Sequence, residues 1–308
     1  MPSKKSQGML HMIRAHKRLV TGLSNSVMHI DPPIERVARS HIVGTSAEII
    51  RDFPMPALMV TPRETVIEDA CILHLHGGAY MSGGLLQCRV LIGPICAFSG
   101  VRAMTFSYRL TPEHIYPAQL EDALQAYQYL LSQGYSADRI VLVGESAGGN
   151  LALSLTRRLR DEGRPLPAGL ALLSPWADLA QTGESYRALR NEDATLDPDE
   201  LLAAGIAFAG GPERLTDPDI SPLYADFHGF PPAVIHCGTK EILLSDSENL
   251  EKRMLEDGVN AHLIRWEGMC HVFQAFGFEE SRASNMQLGA FVRACLEGKL
   301  PGMPENNA

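Results

Sequence analysis

Ser146 stands in Gly144-Glu145-Ser146-Ala147-Gly148, a G-x-S-x-G spacing between the apolar run 140–143 and a helical pattern. In that context the spacing makes a sharp turn that lifts the serine hydroxyl off the top of a sheet. Glycines stand where side chains would strike the neighbouring backbone. Such a serine is a nucleophile for acyl transfer once a base takes its proton. The pattern alone is weak, because composition produces it in roughly one chain in ten of this length. A second element supports it: Leu73-His74-Leu75-His76-Gly77-Gly78-Ala79 leaves an earlier apolar run and enters a glycine-containing loop. Attack on an ester carbonyl creates an oxyanion, and the N–H groups of Gly77, Gly78 and Ala147 are the candidate donors for it. His76 is expected to brace this loop by hydrogen bonding and to take no part in proton transfer.

A base and an orienting acid must come from later in the chain, in the order nucleophile, acid, histidine. Of the two late histidines, His262 falls inside the strand-like run 261–266, whereas His271 follows it in a loop at the strand end. His271 is therefore the expected base. Gly238-Thr239-Lys240-Glu241-Ile242-Leu243-Leu244-Ser245-Asp246 offers two carboxylates. Glu241 lies closer to the strand end and is the expected acid, with Asp246 the alternative. Ser245-x-x-Glu248 reads as a capping box that would give Asp246 another task in a first helical turn.

These residues need a frame. Apolar runs at 71–75, 103–107, 140–143, 170–173, 233–237 and 262–266 alternate with helical patterns at 120–131, 150–159 and 248–255. That is the rhythm of a doubly wound α/β fold with a parallel sheet and helical crossovers. The rhythm predicts an N-terminal cap segment over 1–45, core over 46–177, a cap insertion over 178–215, core again over 216–300 and a frayed tail over 301–308. The insertion carries two helical patterns. The second starts at Asp197-Pro198-Asp199-Glu200 and stops at Gly210-Gly211, the chemistry of an N-cap and a C-cap. A further helix is expected over 9–19 in the N-terminal segment.

Bulk properties narrow the partners. A chain of 308 residues with 45% hydrophobic composition can build one large core. A formal net charge of -9 argues against nucleic acid or an anionic membrane as partner. The start lacks the apolar region of a signal peptide, and no stretch is long enough to span a bilayer. The six cysteines are scattered, without C-x-x-C, H-E-x-x-H or a phosphate loop. Free thiols in a cytoplasmic protein, with no metal and no cofactor, are the expectation.

Taken with His76-Gly77-Gly78 and Gly144-Glu145-Ser146-Ala147-Gly148-Gly149, several further stretches resemble the hormone-sensitive-lipase-like branch of the α/β-hydrolases, also called family IV. They are Tyr108-Arg109-Leu110-Thr111-Pro112-Glu113-His114, Ser174-Pro175-Trp176 and Ser221-Pro222-Leu223. The resemblance implies an eight-stranded, mostly parallel sheet under a helical cap, and a carboxylesterase that hydrolyses short-acyl esters without a cofactor. A lactonase or deacetylase on the same triad, or a small-molecule receptor on the same fold, are the alternatives. It also implies Glu241 as acid, a buried supporting network of Tyr108, Arg109 and Glu113, and a homodimer through residues 262–266 and 284–296. Two positions depart from the usual pattern: Ala79 replaces a further glycine, and Glu145 replaces aspartate or threonine.

Overall fold

In the computed structural model, which describes residues 2–3, 6–10, 12–13, 32–40, 42 and 44–299, the apolar runs become strands of one sheet. These are β1 (Thr45–Ile50), β2 (Ala57–Pro62), β3 (Cys71–Leu75), β4 (Arg102–Phe106), β5 (Ile140–Glu145), β6 (Gly169–Leu173), β7 (Ala233–Gly238) and β8 (Ala261–Trp266). They lie in the order β1-β2-β4-β3-β5-β6-β7-β8. β2 pairs antiparallel with β1 and β4, and every other pairing is parallel. This is the eight-stranded, mostly parallel α/β sheet expected above. β3, β5, β6 and β7 are buried along their whole length, which is why they read as near-continuous apolar runs rather than as alternation.

The strand order reverses between β3 and β5, since β4 lies on one side of β3 and β5 on the other. A crevice opens outside the strand ends at such a reversal, and it is where ligands bind in open α/β sheets. Helices cover both faces: α1 (Ile34–Arg39), α2 (Leu85–Ser99), α3 (Ala118–Ser132), α4 (Ala147–Asp161), α5 (Ser185–Ala188), α6 (Pro198–Ala209), α7 (Leu244–Glu256) and α8 (Glu279–Glu297). Period-two alternation divides the core. Ile140 and Leu142 pack with Leu151, Leu155 and Leu250 on one face, and Val141 and Val143 with Ile92, Ile95, Leu288 and Val292 on the other. Truncating Leu142 to alanine at the centre of this stack would cost about 2–5 kcal/mol.

The reading of the residues missed α1 as well as β1, β2 and α2. β1 is an edge strand with a half-exposed pattern, whereas β2 does carry a short apolar run, Ala57-Leu58-Met59-Val60, lying between Pro56 and Thr61. α2 holds Pro94 in its interior, a residue that ordinarily breaks a helix; burial of Leu91, Ile92, Ile95 and Cys96 offsets it. α6 keeps its expected ends. Asp197 accepts hydrogen bonds from the amides of Asp199 and Glu200, and Gly210 closes the helix in the left-handed conformation. The expected capping box does not form: α7 begins at Leu244 without a side-chain cap, and Ser245 Oγ instead accepts from Ser185 N at 3.0 Å. Of the helix expected over 9–19, residues 9, 10, 12 and 13 are helical; the rest of it, like the tail 301–308, lies outside the described residues.

Candidate active site

Ser146 joins β5 to α4 at φ +56°, a left-handed backbone that a non-glycine residue holds only at a cost of about 1–3 kcal/mol. Its neighbours enforce it. Ser146 N donates to Leu173 O at 2.9 Å, and Trp176 N donates to Ser146 O at 3.0 Å, so the end of β6 grips both sides of the turn. The glycines are required by space: a Cβ on Gly148 would lie 1.9 Å from Leu75 O. Ser146 is 5% exposed. Ala147 opens α4, where an amide without an intrahelical partner and the helix dipole both favour negative charge.

The β3 loop is fastened from below. Glu145 Oε2 lies 2.8 Å from His74 Nε2, and His74 Nδ1 lies 3.0 Å from Thr105 Oγ1. The other carboxylate oxygen accepts from Gly77 N at 2.8 Å. This corrects the expectation for Gly77, whose N–H is already committed to Glu145 and is not free for an oxyanion. Gly78 N and Ala79 N donate to no protein acceptor among the described residues. Gly78 (φ +114°) and Ala79 (φ +54°) turn the chain back at that point, so Gly78, Ala79 and Ala147 are the amides available. His76 has the bracing role expected of it. Its Nδ1 donates to Gly77 O at 2.7 Å, its ring stacks on Tyr108 at 3.9 Å, and burial pulls its pKa down to about 4, which keeps it neutral.

Glu241 and His271 come together across the loops that follow β7 and β8, with Glu241 Oε2 2.6 Å from His271 Nδ1. A carboxylate only accepts, so Nδ1 carries the proton and Nε2 keeps the lone pair a base requires. Glu241 Oε1 accepts from Gly238 N at 2.6 Å, Ser174 Oγ at 2.8 Å and Cys237 Sγ at 3.0 Å. Burial pushes the Cys237 thiol well above its ordinary value, and the neighbouring Glu241 adds to this, so the sulfur stays protonated and donates. His271 is 8% exposed and Glu241 fully buried. No hydrogen bond joins Ser146 Oγ to His271 among the described residues; in unliganded sites that bond is often long and tightens around substrate.

Asp246 does not meet His271. Its Oδ2 accepts from Ala177 N (2.9 Å), Asp178 N (2.8 Å) and Tyr186 Oη (3.1 Å), holding the exit of β6. Burial and the nearby Asp178 push its pKa well up. The network implied for Tyr108, Arg109 and Glu113 is also redrawn. Tyr108 is buried and donates to His76 O at 2.6 Å. Arg109 pairs with Asp122 at 2.7 Å, whereas Glu113 is exposed, in a turn too far out for burial. Ser174 is the site residue that reading the chain gave no role. Its only signal was membership of Ser174-Pro175-Trp176. A cavity of about 310 Å³ shares no residue with this cluster, and its arginines are paired, Arg157 with Asp219 and Arg158 with Glu162.

A family model described as alpha/beta hydrolase fold matches residues 72–275. An esterase of Acinetobacter venetianus is 35% identical over 222 residues, 71% of this chain and 73% of its own length. An acetyl-hydrolase of Streptomyces hygroscopicus is 36% identical over 224 residues, 72% of this chain and 75% of its own. Among solved structures, the crystal structure of EstE5 superposes with TM-score 0.85 at 30% identity, over 96% of this chain and 99% of that one. An esterase from the bacterial hormone-sensitive lipase family gives TM-score 0.84 at 31% identity over the same shares.

Proposed function

The chain belongs to the alpha/beta hydrolase fold family, in its hormone-sensitive-lipase-like branch of carboxylic-ester hydrolases, and from that premise we propose that it cleaves small, short-acyl esters through Ser146, His271 and Glu241. The carrying observation is the 2.6 Å bond from His271 Nδ1 to Glu241 Oε2, which commits one ring nitrogen and leaves Nε2 basic. His271 takes the hydroxyl proton as Ser146 Oγ attacks the carbonyl. The oxyanion so formed is met by the amides of Gly78, Ala79 and Ala147. The tetrahedral adduct collapses as His271 returns the proton to the leaving alcohol, and an acyl-enzyme remains. Water, deprotonated by the same imidazole, then releases the acid.

Acetyl-hydrolases among the relatives support a short acyl group, and no metal or cofactor enters these steps. Residues 178–215, carrying α5 and α6, are read as a cap over the site; much of the N-terminal segment expected to join it lies outside the described residues. The same reading pairs two copies through β8 and α8; sedimentation showing only monomer at all concentrations would remove that part. Among the described residues no helix is long and apolar enough to cross a membrane. The test is a series of nitrophenyl esters from acetyl to lauroyl, with lactones and acetamides alongside. Turnover should peak at the shortest esters and fall as the acyl chain lengthens. A peak at the long chains would sink the proposal.

A further inference from the structure

Ser174 sits just past β6, fully buried and at φ +47°. The chain tolerates a non-glycine residue in that strained conformation at a point where glycine would fit freely, so its side chain is the feature to explain. The hydroxyl has one proton and lone pairs, and both kinds of group are engaged. Ser174 Oγ donates to Glu241 Oε1 at 2.8 Å and accepts from Val272 N at 3.3 Å, the amide directly after His271. Val272 is itself at φ +47°. Ser174 N donates to His236 O on β7 at 2.7 Å. One side chain therefore ties the acid to the backbone that carries the base.

Residues 173–176, the segment that carries Ser174, also hold the nucleophile. Leu173 O accepts from Ser146 N and Trp176 N donates to Ser146 O. Gly238 N and Cys237 Sγ also reach Glu241 Oε1, but both come from β7, on the acid's own side of the site. Ser174 is the donor that reaches the carboxylate from the segment gripping Ser146. A glutamate has one more rotatable bond than an aspartate, so fixing Oε1 is what aims Oε2 at His271 Nδ1. We propose that Ser174 is a positioning residue that sets the Glu241–His271 pair in register with Ser146. The inference rests on those three residues being the triad.

The test uses Ser174→Ala and Ser174→Gly in the full chain, with Ser146→Ala as control. Turnover of nitrophenyl acetate is expressed per active site titrated with an organophosphate, so that any misfolded fraction drops out. Both variants should lose about ten- to a hundredfold in kcat, the scale of a sub-ångström misplacement in a relay, with KM changed by less than about threefold because Ser174 does not touch substrate. Glycine relieves the backbone strain but does not restore the hydroxyl. A glycine variant that recovers wild-type kcat would show that only the backbone matters and overturn the inference, as would a change confined to KM. Turnover surviving in Ser146→Ala would instead overturn the triad itself, a distinguishable failure.

Discussion

Two buried glutamates in this molecule each meet a histidine within 3 Å, Glu145 with His74 at 2.8 Å and Glu241 with His271 at 2.6 Å. Residue types and distances hardly separate the pairs; the second nitrogen of each ring does. His74 is fully buried and spends its other nitrogen on Thr105, so the ring is a brace between β3, β4 and the elbow. Among the described residues nothing bonds His271 Nε2, and the residue is 8% exposed. The carboxylates differ in the same way: Glu145 places its second oxygen under Gly77 and shapes a loop, whereas Glu241 has one oxygen anchored while the other meets His271 Nδ1. A carboxylate–imidazole pair becomes a relay when one nitrogen is left over at an accessible place.

Substitutions can break that comparison. The largest effect is expected at the group the relay serves: Ser146→Ala should reduce nitrophenyl ester turnover by roughly 10⁴–10⁶-fold while thermal unfolding stays near wild type. Undiminished turnover would show that neither pair works on this serine. Glu241→Gln should cost roughly 10³–10⁴-fold in kcat, because the amide's N–H₂ group cannot accept from Nδ1 and the wrong tautomer is favoured. Glu145→Ala should invert the balance. It orphans His74 Nε2 and Gly77 N, about 1–3 kcal/mol of stability for each buried group, but lowers kcat by no more than roughly 10²-fold, the worth of one oxyanion donor. Denaturant melts and kcat on the two glutamate variants decide this; equal kcat losses at comparable stability would erase the distinction.

The smallest effect sharpens the comparison with histidines that have no carboxylate. His236 is buried beside Ser284 Oγ at 2.7 Å, and burial pulls its pKa down to about 3. Below the unfolded value near 6.5 the unfolded chain binds a proton that the native ring refuses, so stability is lost as pH falls from there toward 3. The slope is at most about 1.4 kcal/mol per pH unit. Unfolding free energies at pH 7, 6 and 5 should therefore fall less steeply for His236→Gln than for the parent. Parallel slopes would mean that this ring titrates normally.

Much of this arrangement is legible in one dimension because its causes are local. A buried parallel strand must be an apolar run, and the elbow must be glycine-flanked because a Cβ on Gly148 would strike Leu75 O. The helix over 198–209 declares its ends through Asp197, Pro198 and Gly210. The positions of Ser146, Glu241 and His271 along the chain follow from which strand ends they occupy. α2 was hidden because Pro94 contradicts its helical pattern, and only burial on the sheet outweighs that.

What the sequence by itself determined, then, is the fold class, the elbow and the order along the chain of the three groups proposed to react, all set by sterics and periodicity within a few residues. Tertiary structure decided how the hydrogen-bonding groups are shared out. It committed Gly77 to Glu145 and left Ala79 free, gave Arg109 to Asp122 instead of Glu113, turned Asp246 toward the end of β6, and set Ser174 between Glu241 and Val272. Each such choice is made between groups 13 to 98 residues apart, and a donor takes whichever acceptor the packed chain brings within 3.3 Å.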